Sequence, residues 1–438
     1  MKRNLILLLV SFVVCGFPAT PLHAAALDVK DVKVDGWNLT IQGQTVTIDP
    51  TSTKTATTDG ELKAGTPSYG GPQLLGGPAW AYRALRVPTL VATPADKPEV
   101  KLVPGKDFAL DADWASVAAI AGSAYPAGTK VKFEYQYGLS RMDLIEKTPD
   151  GKLAVRKGVE DKSQPLLPEA TPGNTPVAGI YLGNGTTSLT MDSVCLIDPS
   201  YDGIPPVQRT EVLKAVKEKM ASGKPVTIVF LGDSITAQQP KDMRDGKGSF
   251  IVRFTEYLKA KYPQSTLVTS ELAKTVEAKD KQIVVVMSGV GGNVSTQALK
   301  RMDTDVLAHK PDLVVVMLGV NDENRKGEGN GVPVGTYKSN LEAITDKVQT
   351  GGGQVILMTT SMKNLKWSAC VGNLNEYAAA AREVSAAKKT ALVDNFAAWE
   401  QLPKRGYNYM VFLGNCLNHP VDLGHDLFFR GLKSAFEN

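Results

Sequence analysis

The stretch Pro225-Val226-Thr227-Ile228-Val229-Phe230-Leu231-Gly232-Asp233-Ser234-Ile235-Thr236 carries the strongest signal in the chain. Its apolar and β-branched residues run unbroken to Gly232, the pattern of a strand buried on both faces of a parallel sheet. The run then stops at Gly-Asp, and Ser234 stands where the backbone must turn. In open α/β sheets the ligand crevice lies at the carboxyl ends of such strands. The spacing therefore delivers Ser234 to a substrate. Gly-Asp-Ser taken alone is equally a turn or a helix cap, so the rest of the chain must arbitrate.

The flanking and downstream chain keeps the same texture. Helices are expected over Val207–Ser222, Phe250–Tyr262, from about Thr296, over Tyr337–Val348 and Leu374–Lys388, and from about Asp422 to Phe436. Strands are expected over Ile283–Met287, Asp312–Leu318, Val355–Thr359 and Ala391–Asp394. Strands alternating with helices indicate a parallel sheet covered on both faces.

Residues 27–200 read differently, as short strands separated by turns. Leu39-Thr40-Ile41 and Val46-Thr47-Ile48 flank Gln42-Gly43-Gln44 as a hairpin; Val131–Tyr135 and Ala178–Leu182 are further strands. A β-rich sandwich or jelly roll is expected. Trp80, Tyr82 and Trp114 are either its core or stacking surfaces for sugars. The Pro- and Gly-containing segment Asp198–Pro206 reads as a linker, after which the α/β domain occupies 205–438.

With 438 residues, two domains are expected. The formal charge is +4, and loss of Lys2 and Arg3 would make it +2, so neither nucleic acid nor an anionic membrane is implied as a partner. Lys2 and Arg3 precede the apolar run Leu5–Phe17, followed by small-residue sites at Leu22-His23-Ala24 and Ala24-Ala25-Ala26. This reads as a signal peptide over residues 1–24, too short to span a bilayer, and predicts a secreted or periplasmic protein with no membrane span after cleavage. Cys195, Cys370 and Cys416 would remain, enough for one disulfide; Cys370 and Cys416, both on loops at the active edge, are the better pair.

Three later segments end strands or precede the last helix. Ser288-Gly289-Val290-Gly291-Gly292-Asn293-Val294 follows a strand; Val294 stands where a dinucleotide fingerprint needs glycine, so a backbone N–H approaching a ligand is the better reading. Leu318-Gly319-Val320-Asn321-Asp322 ends another strand, where Asn321 is a site residue or a turn cap. Asn418-His419-Pro420-Val421-Asp422-Leu423-Gly424-His425 comes last. Of four histidines, His23 would leave with the leader and His309 reads as a solvated last-turn residue. His419 and His425 are left as candidate bases. With Asp422 they could also hold a metal, but no third histidine supports that, so neither metal nor cofactor is expected.

In this order, the Gly-Asp-Ser elbow, Gly-rich loop, Gly-x-Asn-Asp and late His-Pro resemble the SGNH (GDSL-type) hydrolases over about 205–438. The resemblance implies a three-layer α/β/α, flavodoxin-like domain. It makes Ser234 the nucleophile and His419 its base. It assigns the oxyanion hole to the backbone N–H groups of Ser234 and Gly292 and the side-chain amide of Asn321. That family usually has an aspartate three residues before the histidine, where this chain has Cys416. Asn415 lies one residue earlier and Asp422 three residues later; Asp422 is taken as the acid, with a helix-start role as the alternative. His425 then packs, or bonds to a loop. Two-domain chains of this kind are often carbohydrate esterases, so the expected activity is hydrolysis of acyl, notably acetyl, esters on a small molecule or polysaccharide. A lipid acyl hydrolase and a non-catalytic glycan-binding protein are the rivals.

Overall fold

A computed structural model describes residues 27–65, 74, 83–201, 203–238, 243–271 and 275–437. The proposed leader, Trp80 and Tyr82 lie outside them.

Every residue of β1 (Val226–Gly232) is buried, which is why its sequence shows no polar alternation. β1 runs parallel between β3 (Gln282–Gly289) and β4 (Leu313–Met317), with Gly232 beside Gly289 on one side and Met317 on the other. β2 (Thr266–Glu271), β5 (Gln354–Met358) and β6 (Ala391–Val393) complete a six-stranded sheet, ordered β2-β3-β1-β4-β5-β6. All five pairings are parallel.

Helices cover both faces. Phe230 and Ile228 pack with α1 (Lys214–Ala221), α3 (Phe250–Lys261), α7 (Asn395–Glu400) and α8 (Asp422–Glu437) in one apolar cluster. Val229 and Leu231 face the opposite way, toward α4 (Ser295–Lys300), α5 (Val334–Thr350) and α6 (Leu374–Lys388). Burying each such aliphatic side chain stabilises the fold by about 1.5–3 kcal/mol. With edge strand β2 set aside the order is flavodoxin-like, and the chain reverses direction across the sheet between β1 and β4. In sheets of this order the ligand crevice lies at that switch point.

The N-terminal part is β-rich, built as two face-to-face sheet pairs. Strands Val32–Asp35, Asn38–Ile41 and Gln44–Thr47 pack on the four-stranded sheet that contains Arg141–Lys147 and Thr175–Leu182. The expected hairpin turns at Gln42 and Gly43, both at positive φ. Thr53–Glu61, Lys130–Gly138 and Val91–Pro94 form a second sheet, packed with Phe108–Asp111 and Ser116–Ala119.

The two parts touch. The Asp198 N–H donates to the Lys404 carbonyl (2.8 Å), and Arg244 forms an ion pair with Asp161 (2.7 Å). Trp114 packs with Leu417, Trp367 and Met410 rather than inside its own sheets.

Two sequence expectations fail here. The Cys370–Cys416 disulfide is not formed, because each thiol has another partner. Cys370 donates to Glu323 Oε1 (3.3 Å), and Cys416 Sγ lies 3.9 Å from the Ser163 carbonyl. His309 is buried rather than solvated, and desolvation holds its imidazole below the ordinary range.

Candidate active site

The turn after β1 is an N-cap. The Asp233 carboxylate accepts from the Ile235 N–H (2.9 Å) and starts the short helix α2 (Ser234–Ala237). Asp233 is itself buried. Desolvation, reinforced by the charge of Asp322, pushes its carboxyl up to about 7. The helix sits against the end of β3 so closely that a Cβ on Gly289 would lie 2.5 Å from the Ala237 nitrogen. Only glycine fits there, and Ser234 is thereby fixed at the sheet edge.

The late loop brings the imidazole to it. His419 Nε2 lies 2.8 Å from Ser234 Oγ, although 185 residues separate the two. The Gly414 N–H donates to the His419 carbonyl (2.8 Å), closing the loop as a hairpin. Inside it the Asn415 side chain accepts from the N–H groups of Leu417, Asn418 and His419 (3.0, 3.0 and 3.1 Å). Asn415 Nδ2 lies 3.1 Å from His419 Nδ1.

Asp422, expected as the acid, is engaged elsewhere. Its Oδ1 accepts from the N–H groups of Arg244 (2.8 Å) and Asp245 (3.2 Å) at the start of α8. Asp422 does stand first in α8, but its carboxylate holds the backbone of the 244–245 loop. His425 is buried against Phe250, with ring centroids 5.8 Å apart. Its Nδ1 accepts from the Phe250 N–H (3.1 Å), so Nε2 carries the proton and donates to Gln238 Oε1 (2.8 Å) at the end of α2. Burial pushes this imidazole down to about 3.

Gly292 lies on an exposed turn at φ +73° beyond β3, on the strand next to β1. The almost fully buried Asn321 follows β4, on the other side of β1. Its Nδ2 donates one hydrogen to the Asn293 carbonyl (3.1 Å), tying the two loops together and leaving one hydrogen of the amide.

Several supporting residues carried no recognisable sequence signal. Arg301 donates to the carbonyls of Gly232 and Ser288 (both 2.9 Å) and to Asn293 Oδ1 (2.9 Å), clamping the ends of β1 and β3. The Ser295 N–H donates to both oxygens of buried Asp322 (2.9 and 3.1 Å). Lys363 is buried in an ion pair with Glu323 and donates to the Val320 carbonyl (3.0 Å), just before Asn321. These bonds are tertiary, so no local pattern marks them. Among the described residues no three His, Cys, Asp or Glu side chains gather as a metal site.

A serine hydroxyl touching an imidazole at the rim of a parallel sheet, with N–H donors on the neighbouring strand ends, defines a class of acyl-transfer hydrolase. Residues 230–427 match the GDSL-like lipase/acylhydrolase family, and that match supports an SGNH-type carboxylic ester hydrolase in this part of the chain. Among characterised relatives it is 26% identical over 218 residues to an acetylxylan esterase of Geobacillus stearothermophilus, covering 48% of this chain and 93% of that one. The crystal structure of an acetylxylan esterase from that organism aligns with a TM-score of 0.39 at 22% identity, covering 50% of this chain and 97% of the other. A lipase/acylhydrolase from Enterococcus faecalis aligns with a TM-score of 0.36 at 23% identity over 47% and 93%.

Proposed function

We propose that this protein is an exported serine esterase that removes acyl groups, acetyl foremost, from carbohydrate. The reading rests on one observation, the 2.8 Å approach of His419 Nε2 to Ser234 Oγ at the carboxyl edge of the sheet. The acetylxylan esterase relative supports the choice of substrate, and the apolar run behind Lys2 and Arg3 supports export.

In this mechanism Ser234 Oγ attacks the ester carbonyl carbon as its proton passes to His419 Nε2. The carbonyl oxygen takes the negative charge. The backbone N–H groups of Ser234 and Gly292 and the Asn321 amide stabilise that charge, each fixed donor being worth about 3–4 kcal/mol of barrier. The histidine then protonates the departing alcohol, leaving an acyl-serine that water cleaves by the same route in reverse.

Purified protein should turn over p-nitrophenyl acetate and release acetate from acetylated xylo-oligosaccharides. Ser234→Ala or His419→Ala should each lower kcat by at least about two orders of magnitude. Equal turnover in wild type and both variants would overturn the assignment of this pair. Turnover of the aryl ester without acetate release from any acetylated glycan would overturn the carbohydrate reading alone.

A further inference from the structure

The bonds around Asn415 fix which nitrogen of His419 can carry a proton. Three backbone N–H groups converge on Asn415 Oδ1, and only an oxygen can face three donors. Its nitrogen must therefore point the other way. One of its hydrogens goes to Asn418 Oδ1 (3.0 Å) and the other to His419 Nδ1 (3.1 Å). A ring nitrogen that receives a hydrogen bond presents a lone pair, so a neutral imidazole here holds its proton on Nε2, facing Ser234 Oγ. A general base needs the reverse arrangement, with the proton on Nδ1 and the lone pair on Nε2.

We propose that Asn415 is the positioning residue of His419 and holds the resting imidazole in the Nε2–H tautomer, so that the esterase works from a minority form. The inference rests on the Ser234–His419 reading given above. For turnover, the ring proton must first move from Nε2 to Nδ1. The Ser234 proton can then pass to Nε2 as the Oγ–carbon bond forms. The resulting imidazolium carries N–H on both nitrogens, and its Nδ1–H meets the Asn415 amide donor to donor. Exchanging aspartate for asparagine at the corresponding place of a serine-protease triad keeps the geometry and costs about 10⁴ in kcat through this tautomer.

Asn415→Asp is the decisive variant. One carboxylate oxygen would keep the three backbone N–H groups, and the other would accept from Nδ1–H once the Asn418 amide turned to donate. On p-nitrophenyl acetate kcat should rise by roughly 10²-fold or more, with KM little changed, and the double variant with Ser234→Ala should lose the gain. In ¹⁵N NMR of histidine-labelled protein, with His419 assigned by its loss in His419→Gln, the wild-type neutral ring should show the Nε2–H pattern. His425 supplies an internal reference for that pattern, and Asn415→Asp should convert His419 to Nδ1–H. An Nδ1–H ring in the wild type overturns the proposal, as does a folded Asn415→Asp protein with unchanged or lower kcat. If Asn415→Asp fails to fold, the wild-type tautomer alone decides. An Nε2–H ring in a protein that hydrolyses no ester, with or without the substitution, leaves the tautomer assignment standing and overturns the esterase reading.

Discussion

Asp422 and Asn415 lie on opposite sides of His419 in the chain, and only the second reaches its ring. Sequence spacing alone favours Asp422, a carboxylate three residues away, because a carboxylate is the better partner for an imidazole. In the fold that carboxylate begins a helix and collects the N–H groups of Arg244 and Asp245. Asp422→Asn, which keeps an acceptor oxygen, should leave kcat within roughly 3-fold. Asp422→Ala should lower unfolding stability by about 0.5–2 kcal/mol, because two backbone donors lose their acceptor. Urea denaturation and p-nitrophenyl acetate kinetics on the two variants check this; a hundred-fold fall in kcat for Asp422→Asn would restore the catalytic acid. Ser234 and the glycine and asparagine loops stood out in sequence because each follows an abruptly ended apolar run, and His419 stood out by elimination and by its place in the family-like order of motifs. Asn415 was noted there only as lying one residue from the family's acid position, and Arg301 and Lys363 went unread, because their roles come from contacts that no local pattern marks.

Among the elements, β1, β4 and the long helices were readable, since burial on two faces or on one helical stripe leaves a periodic trace. The sequence predicts α6 at its observed bounds, Leu374–Lys388. Edge strand β2 went unread because Thr266, Thr269 and Ser270 interrupt its apolar pattern. The expected helix at Val207–Ser222 starts later, with a 3₁₀ turn at Thr210–Leu213 before α1. The contact between α8 and α2 has a pH consequence. His425 is held at about 3 in the fold against an ordinary 6.5, chiefly by burial, so the unfolded chain binds the extra proton between those values. Its contribution is complete above about pH 6.5 and is lost as pH falls toward 3, by up to about 1.4 kcal/mol per pH unit. Chemical denaturation at pH 7, 6, 5 and 4 should show that decline, and His425→Gln should flatten it.

Across the whole molecule the N-terminal sheets reach the catalytic rim. Asp161 holds the Ser163 and Gln164 N–H groups (both 3.0 Å) and pairs with Arg244, whose own N–H is held by Asp422. Ser163 in turn lies against Cys416 in the histidine loop. The Asp161 carboxyl is burdened by partial desolvation, yet the Arg244 and backbone donors outweigh it and hold it down to about 2 from 3.8. This link is intact above about pH 4 and fails as pH drops toward 2. Asp161→Ala should lower the melting temperature and reduce kcat several-fold, because it loosens a support of the His419 loop. A variant with wild-type kcat would show that the loop stands without the first domain. Composition and turn density made the domain's β character legible. Its docking could not be read, because Trp114 carries the same sequence signature in a core, at a sugar platform or against a neighbouring domain.

The three described cysteines remain thiols in the fold. Desolvation raises Cys195 to about 12 and Cys370 to about 11, and Cys416 is almost fully buried. Scarce thiolate at Cys195 and Cys370, and the burial of all three sulfurs, make them resist air oxidation and alkylating reagents while the chain stays folded. Manufacture in a reducing bacterial cytosol therefore sacrifices no cross-link among the described cysteines, and a single cysteine engineered onto the surface would accept a fluorophore or an immobilisation tether with little competition from these three sulfurs.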